Sequence, residues 1–353
     1  MNKVKDALND ILSNLDNREK QIILSRFGIL NNSKKSLNDL SLTYNLSRER
    51  IRQIQNKALS KIYPILIKNE YIKNILEQLK EFLLPFGIRR DSEFFIRVKN
   101  FLNFSQEDIE NLKFCLFFYP DIIFHKKDDI FHNFYAKDKS SYEKGRSFLK
   151  EIYNQFFVKK DIVEEEKIVD FIIQRSREIF KIKPQEEEAL NLLKVLNGIN
   201  KSILNFWGPS SHFYISPKSL KHKILHILEH EGKPLHFKEI AEKINSFSEV
   251  EDDYIHRYWR KKYNFNSIKN ELIKYQEFVF IGKGYYALRK WGLIEGTAKE
   301  VLIDLLKNNK KILKEALWEK ISSYKLIKRS SFDMYLKKIK CLRQEGDYLI
   351  YDG

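Results

Sequence analysis

Two cysteines in 353 residues, Cys115 and Cys341, leave no disulfide framework and no cysteine-based zinc spacing. A reduced, cytoplasmic setting fits that usage. Glycine (12) and proline (7) are scarce, which argues against long flexible linkers. No uninterrupted apolar run of about 18 residues occurs, so no membrane span and no membrane partner are expected. The start, Met-Asn-Lys-Val-Lys-Asp, has no apolar signal core. A glycine-rich phosphate loop, a nucleophile elbow and a paired-carboxylate nuclease spacing are all missing. The chain therefore reads as no enzyme and as needing no cofactor.

What is present is positive charge. The formal net charge is +16, and 43% of residues are hydrophobic, enough for real cores. Residues 1–68 hold 13 Lys or Arg against 6 Asp or Glu, whereas residues 69–217 hold 23 of each. Residues 218–292 are +5 and residues 293–353 are +4. Basic charge gathered at the two ends of a chain is the electrostatic footprint of nucleic-acid binding. A length of 353 residues predicts two to four domains.

Residues 47–61 predict the most informative helix. Ile51, Ile54, Ala58 and Ile62 recur at helical spacing and face a core. Ser47 is a good N-cap. Arg48, Glu49, Arg52, Gln53, Asn56 and Lys57 then fall on the opposite side. Arg48 and Arg52 suit guanine or phosphate, Glu49 suits cytosine, and Gln53 suits adenine. Asn45 stands where the preceding turn needs a left-handed backbone.

The string Ser47-Arg48-Glu49-Arg50-Ile51-Arg52-Gln53-Ile54-Gln55-Asn56-Lys57-Ala58-Leu59 resembles the DNA-reading helix of bacterial sigma factors. The resemblance extends upstream through Leu15-Asp16-Asn17-Arg18-Glu19 and Leu24-Ser25-Arg26-Phe27-Gly28, and Leu37 to Leu46 resembles the first helix and turn of the motif. Residues 8–62 together resemble sigma region 4. That resemblance implies a helix-turn-helix, double-stranded DNA as partner, and the flap of core RNA polymerase as a second partner. No match to sigma region 2 is visible.

Residues 218–292 predict three helices and a hairpin around Gly282-Lys283-Gly284, the plan of a winged helix-turn-helix. Lys233 to Ala241, Ile268 to Leu272, and Phe278 to Gly292 resemble the HARE-HTH domain, found in the polymerase delta subunit and in some restriction enzymes. Residues 296–353 repeat the plan, with a third helix from Ser330 capped by Ser330 or Ser331. Asn266, Lys269, Asn270 and Lys283, with Lys274, are the candidate DNA contacts of the first winged module. Lys328, Arg329, Lys337 and Lys338 are those of the second.

Residues 69–210 are expected to be a helical spacer or scaffold. Phenylalanines crowd residues 82–157; stacking on unpaired bases is one use for them and core packing the ordinary one. The Glu164-Glu165-Glu166 and Glu186-Glu187-Glu188 runs read as solvated helix faces. Residues 207–211, Trp-Gly-Pro-Ser-Ser, read as a domain boundary. His222, His226 and His230 stand at four-residue steps, a spacing zinc also uses, with no cysteine or placed carboxylate to complete a site.

The expected fold is mainly α and multi-domain: a helix-turn-helix at 1–68, the helical middle, and two C-terminal winged modules with short β-hairpin wings. The expected function is a DNA-binding transcription factor. The alternatives are a delta-like polymerase accessory protein and the DNA-recognition part of a restriction or repair system.

Overall fold

The computed structural model describes residues 3–159, 161–249, 253–325 and 327–353. Helices dominate, with small antiparallel sheets between them. The chain parts into two compact units, residues 1–199 and 200–353. No helix among the described residues is long and apolar enough to cross a membrane.

The first unit opens with α1 (Lys3–Leu12), α2 (Asn17–Phe27), α3 (Leu37–Tyr44) and α4 (Arg48–Lys68). Local chemistry sets their ends. Asp16 and Glu19 form a capping box at the start of α2, and Ser36 and Asp39 form another at the start of α3. Gly28 closes α2 with φ 68°. A Cβ at Gly28 would also lie 3.0 Å from Lys34 Cβ, so both the backbone and the close approach ask for glycine. The expected helix of residues 47–61 runs on to Lys68, through Pro64. Proline removes one ladder bond there. Ile62 and Leu66 on either side of it are buried, and that packing carries the helix across the gap.

Two apolar clusters use different sides of these helices. Ile22, Leu40 and Ile51 form a small core with Leu37, Tyr44, Leu46 and Ile54 around it. Leu8, Leu12, Ile23, Leu24, Ala58 and Ile62 join a larger core that also contains Phe94, Val98, Ile109, Leu112 and Cys115. The basic head thus shares one continuous interior with the segment that follows. Asn111 Oδ1 accepts the Leu30 N–H at 3.0 Å across that junction, and Phe27 packs edge-on against Phe114 at 5.0 Å.

The segment expected to be mainly helical also contains short strands. After α5 (Glu70–Leu79) come β1 (Ile88–Arg90), α6 (Asp91–Leu102), α7 (Gln106–Phe117), β2 (Ile123–His125) and β3 (Phe134–Ala136). The sheet order is β1-β3-β2, all antiparallel. Strands of three residues are too short for period-2 alternation, which is why pattern reading passes over them. Next come α8 (Lys139–Phe156), β4 (Val163–Glu164), α9 (Glu165–Ile179), α10 (Glu186–Leu193), β5 (Ile199–Lys201) and β6 (Phe206–Pro209). Residues 207–209, part of the stretch read as a boundary, lie in β6, with Trp207 buried.

The second unit continues with α11 (Leu220–Glu231), β7 (Leu235–His236), α12 (Phe237–Ser246), α13 (Asp253–Trp259), α14 (Phe265–Lys274), β8 (Phe278–Gly282) and β9 (Tyr285–Leu288). Its sheet order is β7-β9-β8. Then follow α15 (Ala298–Asn309), β10 (Lys311–Leu313), α16 (Lys314–Tyr324), α17 (Arg329–Lys337), β11 (Leu342–Glu345) and β12 (Tyr348–Tyr351), in the order β10-β12-β11. Short 3-10 turns aside, the succession helix, strand, helix, helix, strand, strand thus starts at Glu70, Lys139, Leu220 and Ala298, with α13 added in the third.

The start of α17 departs from expectation. Its N-cap is Lys328, with no side-chain cap bond, and not Ser330 or Ser331. Arg329 holds that turn instead: its guanidinium donates to Glu315 and lies over Trp318, 5.1 Å from the ring centroid. The ion pair ties this turn to the neighbouring helix, while no side chain caps its backbone N–H groups.

Candidate nucleic-acid interface

The helix-turn-helix is α3, the turn at Asn45, and α4. Asn45 adopts φ 50°, ψ 49°, the left-handed conformation asparagine tolerates. The Leu46 N–H donates to Ser41 O at 3.1 Å, closing the turn. Ser47 Oγ accepts the Arg50 N–H at 3.1 Å and so starts α4. Ile51, completely buried, pins the first turn against Leu40 and Ile22. This pinning fixes which way the opposite face points.

That face is open. Ser47, Arg48, Glu49, Arg52, Gln53, Asn56 and Lys57 are all exposed. The polar groups on it are already arranged. Arg52 Nε donates to Glu49 Oε2 at 2.9 Å, and Arg52 Nη2 donates to Glu49 Oε1 at 2.7 Å. Arg50 Nη1 donates to Gln53 Oε1 at 3.1 Å. The Arg52 hydrogen bond holds the Glu49 carboxyl below the usual range, and the same bond raises the guanidinium. Both groups are therefore charged throughout the neutral range. Arg50 is a partner that side-by-side reading of the helix passed over; its place in the exposed first turn was the available signal.

Lys57 is less free than its neighbours. Its Nζ lies 3.8 Å from Glu19 Oε1, although its side chain stays mostly in water. Glu19 is the centre of a small buried network. Its oxygens accept Lys61 Nζ at 2.8 and 2.6 Å, and Oε2 accepts the Asp16 N–H at 3.3 Å. This network ties α2 to α4 beneath the exposed face. No periodicity announces it, because it joins positions 42 residues apart.

The second candidate set lies in the other unit. Asn264 Oδ1 accepts the Ser267 N–H at 2.7 Å and starts α14, on which Asn266, Lys269, Asn270 and Lys274 are exposed. Lys283 sits at the hairpin tip between β8 and β9 with φ 51°. Lys328, Lys337 and Lys338 are exposed, whereas Arg329 is committed to Glu315. The structure thus gathers the α4 residues on one face and the α14 and hairpin residues on one module.

The histidines divide. His226 is completely buried, stands 4.9 Å from the Tyr214 ring and 5.7 Å from Trp259, and neither ring nitrogen has a partner. Burial pushes its pKa down to about 3. Among the described residues no group of three or more His, Cys, Asp or Glu is placed to hold a metal. The phenylalanines of residues 82–157 are mostly core: Phe94, Phe95, Phe114, Phe131, Phe134 and Phe148 are buried.

Comparison with known proteins falls on the head. The sigma-70 region 4 family profile matches residues 11–63. Over 72 residues the chain is 40% identical to the RNA polymerase sigma-C factor of Nostoc sp. (strain PCC 7120). That stretch is 20% of this chain and 17% of the relative's own length. The capped and pinned part of α4 up to residue 63 therefore lies in a segment, residues 11–63, that matches sigma-70 region 4.

Proposed function

We propose that the chain is a non-enzymatic transcription factor that reads promoter-like duplex DNA with the first turns of α4. The observation that carries this reading is the single exposed face holding Ser47, Arg48, Glu49, Arg52, Gln53, Asn56 and Lys57 above a buried Ile51. A helix-turn-helix docks its second helix by its N-terminal residues in the major groove. The Glu49–Arg52 pair presents a donor and an acceptor in one fixed geometry, which suits adjacent base edges. The four α–β–α–α–β–β stretches are read as winged helices, that of residues 218–292 being HARE-HTH-like. Asn266, Lys269, Asn270 and Lys283 then supply groove and phosphate contacts.

The neutral charge of residues 69–217 agrees with a scaffold role for the first two stretches. In the first of them α7 is spent on packing, since Ile109, Leu112 and Cys115 are buried in the core shared with the head. Association with core RNA polymerase falls on the apolar residues the head still exposes, Leu42, Tyr63, Ile65 and Ile67.

Selection of a binding site from a random DNA pool by the purified chain tests base reading. Arg52→Ala is expected to weaken the selected duplex about fivefold or more while leaving scrambled duplex nearly unchanged. Equal loss on both sequences would count against it. A polymerase complex that survives nuclease treatment supports direct contact, whereas its dissolution assigns the association to shared DNA.

A further inference from the structure

The module of residues 218–292 contains a cavity that duplex reading by α4 leaves unused. Its volume is about 530 Å³, and its walls include Phe237, Ile273, Phe280 and Tyr286, with Lys269 and Lys283. That volume lies within the roughly 300–1,000 Å³ of small-ligand sites. Gly284 keeps one corner open. It has φ 83°, and a Cβ there would come within 2.4 Å of His236 Nε2 and 3.1 Å of the Phe237 ring. The aromatic rings come from three elements: the start of α12, β8 and β9. Neither lysine has an ion-pair partner among the described residues, and both are exposed. Aromatic walls under two unpaired cations match a ligand that is flat and apolar at one end and anionic at the other.

We propose that this cavity accepts one unpaired nucleotide of a DNA strand, its base against Phe237 and Phe280 and its phosphate between Lys269 and Lys283. Duplex DNA keeps its bases stacked inside, so it offers this module base edges and phosphates but no free stacking face. An unpaired base adds a stacking face, and stacking on aromatic side chains tolerates any base. The module therefore favours DNA that carries an unpaired position.

The test compares two fluorescent probes by anisotropy with the full chain. One is a fully paired duplex and the other is the same duplex with a single unpaired thymine. The unpaired probe is expected to bind about five- to tenfold more tightly. Ile273→Trp places a large ring at an exposed position of the cavity wall. It should abolish the preference and leave affinity for the paired probe unchanged. Lys269→Gln combined with Lys283→Gln should bring the ratio of the two affinities close to one. A wild-type ratio within twofold of one overturns the proposal, as does a preference that both variants retain. Arg52→Ala should leave the ratio intact, so failure here and failure of base reading by α4 are separate outcomes.

Discussion

Replacing Lys61 by methionine is expected to destabilise the head far more than replacing Glu19 by glutamine, although both remove the same ion pair. The Glu19 side chain is 4% exposed and that of Lys61 is 39% exposed. Without Lys61 the carboxylate stays in the interior, with only Lys57 Nζ at 3.8 Å to answer it. Stranding a buried charge typically costs about 3–5 kcal/mol. The distant Lys57 and the Asp16 N–H place this case near the lower end, at about 3 kcal/mol. Without the charge on Glu19 the opposite happens: Lys61 turns to water, and glutamine still accepts the Asp16 N–H. The cost is then about 1 kcal/mol, that of an ordinary hydrogen bond. The double variant should resemble Glu19→Gln alone, giving a coupling of about 3 kcal/mol. All four tryptophans lie at position 207 or beyond, so their fluorescence is blind to this site. Amide hydrogen exchange along α2 and α4 reports on it directly. Equal costs for the two single variants, or additive costs in the double variant, would refute the reasoning.

The buried His226 sets an acid limit on the module of residues 218–292. Its pKa falls from 6.5 to about 3 on folding, so the unfolded chain binds more protons between those values. Stability is then full above about pH 6.5 and declines as pH falls toward 3. His226→Leu should flatten that decline, measured by an acid titration followed by amide hydrogen exchange along α11 and α14. Asn111→Ala removes the acceptor of the Leu30 N–H and should cost about 1–3 kcal/mol, read as faster exchange of the Leu30 amide. Gly28→Ala forces a side chain into a left-handed position against Lys34 and should cost about 1–2 kcal/mol in head stability, measured by the same exchange method.

Much of the head was legible because its signals are local. Ser47 as cap, Asn45 as left-handed turn residue, and Ile51, Ala58 and Ile62 as the inner stripe all act within a few residues of themselves. The hairpin around Lys283 was legible for the same reason, since its two flanking glycines announce it. The strands of residues 88–90, 123–125 and 134–136 were not. Each is only three residues long, too short to show alternation, and β1 finds its partner β3 more than forty residues further along the chain. The Glu19–Lys61 network and the Leu30–Asn111 contact were hidden likewise, because polar pairs far apart leave no period. The cavity beside Lys269 draws on β7, α12, α14, β8 and β9, and only folding brings its walls together.

The shared interior beneath the head has a practical consequence. Leu8, Leu12, Leu24 and Ile62 share one core with buried residues from Ile72 to Tyr135. Cutting the chain behind α4 would bare that surface to water, so residues 1–68 are a poor cassette for grafting onto another protein. Their orientation toward DNA is inherited by everything welded to them, up to and including α7. On the proposed reading, a duplex gripped by α4 would acquire a stiff lever, with no tether of adjustable length between the grip and its handle.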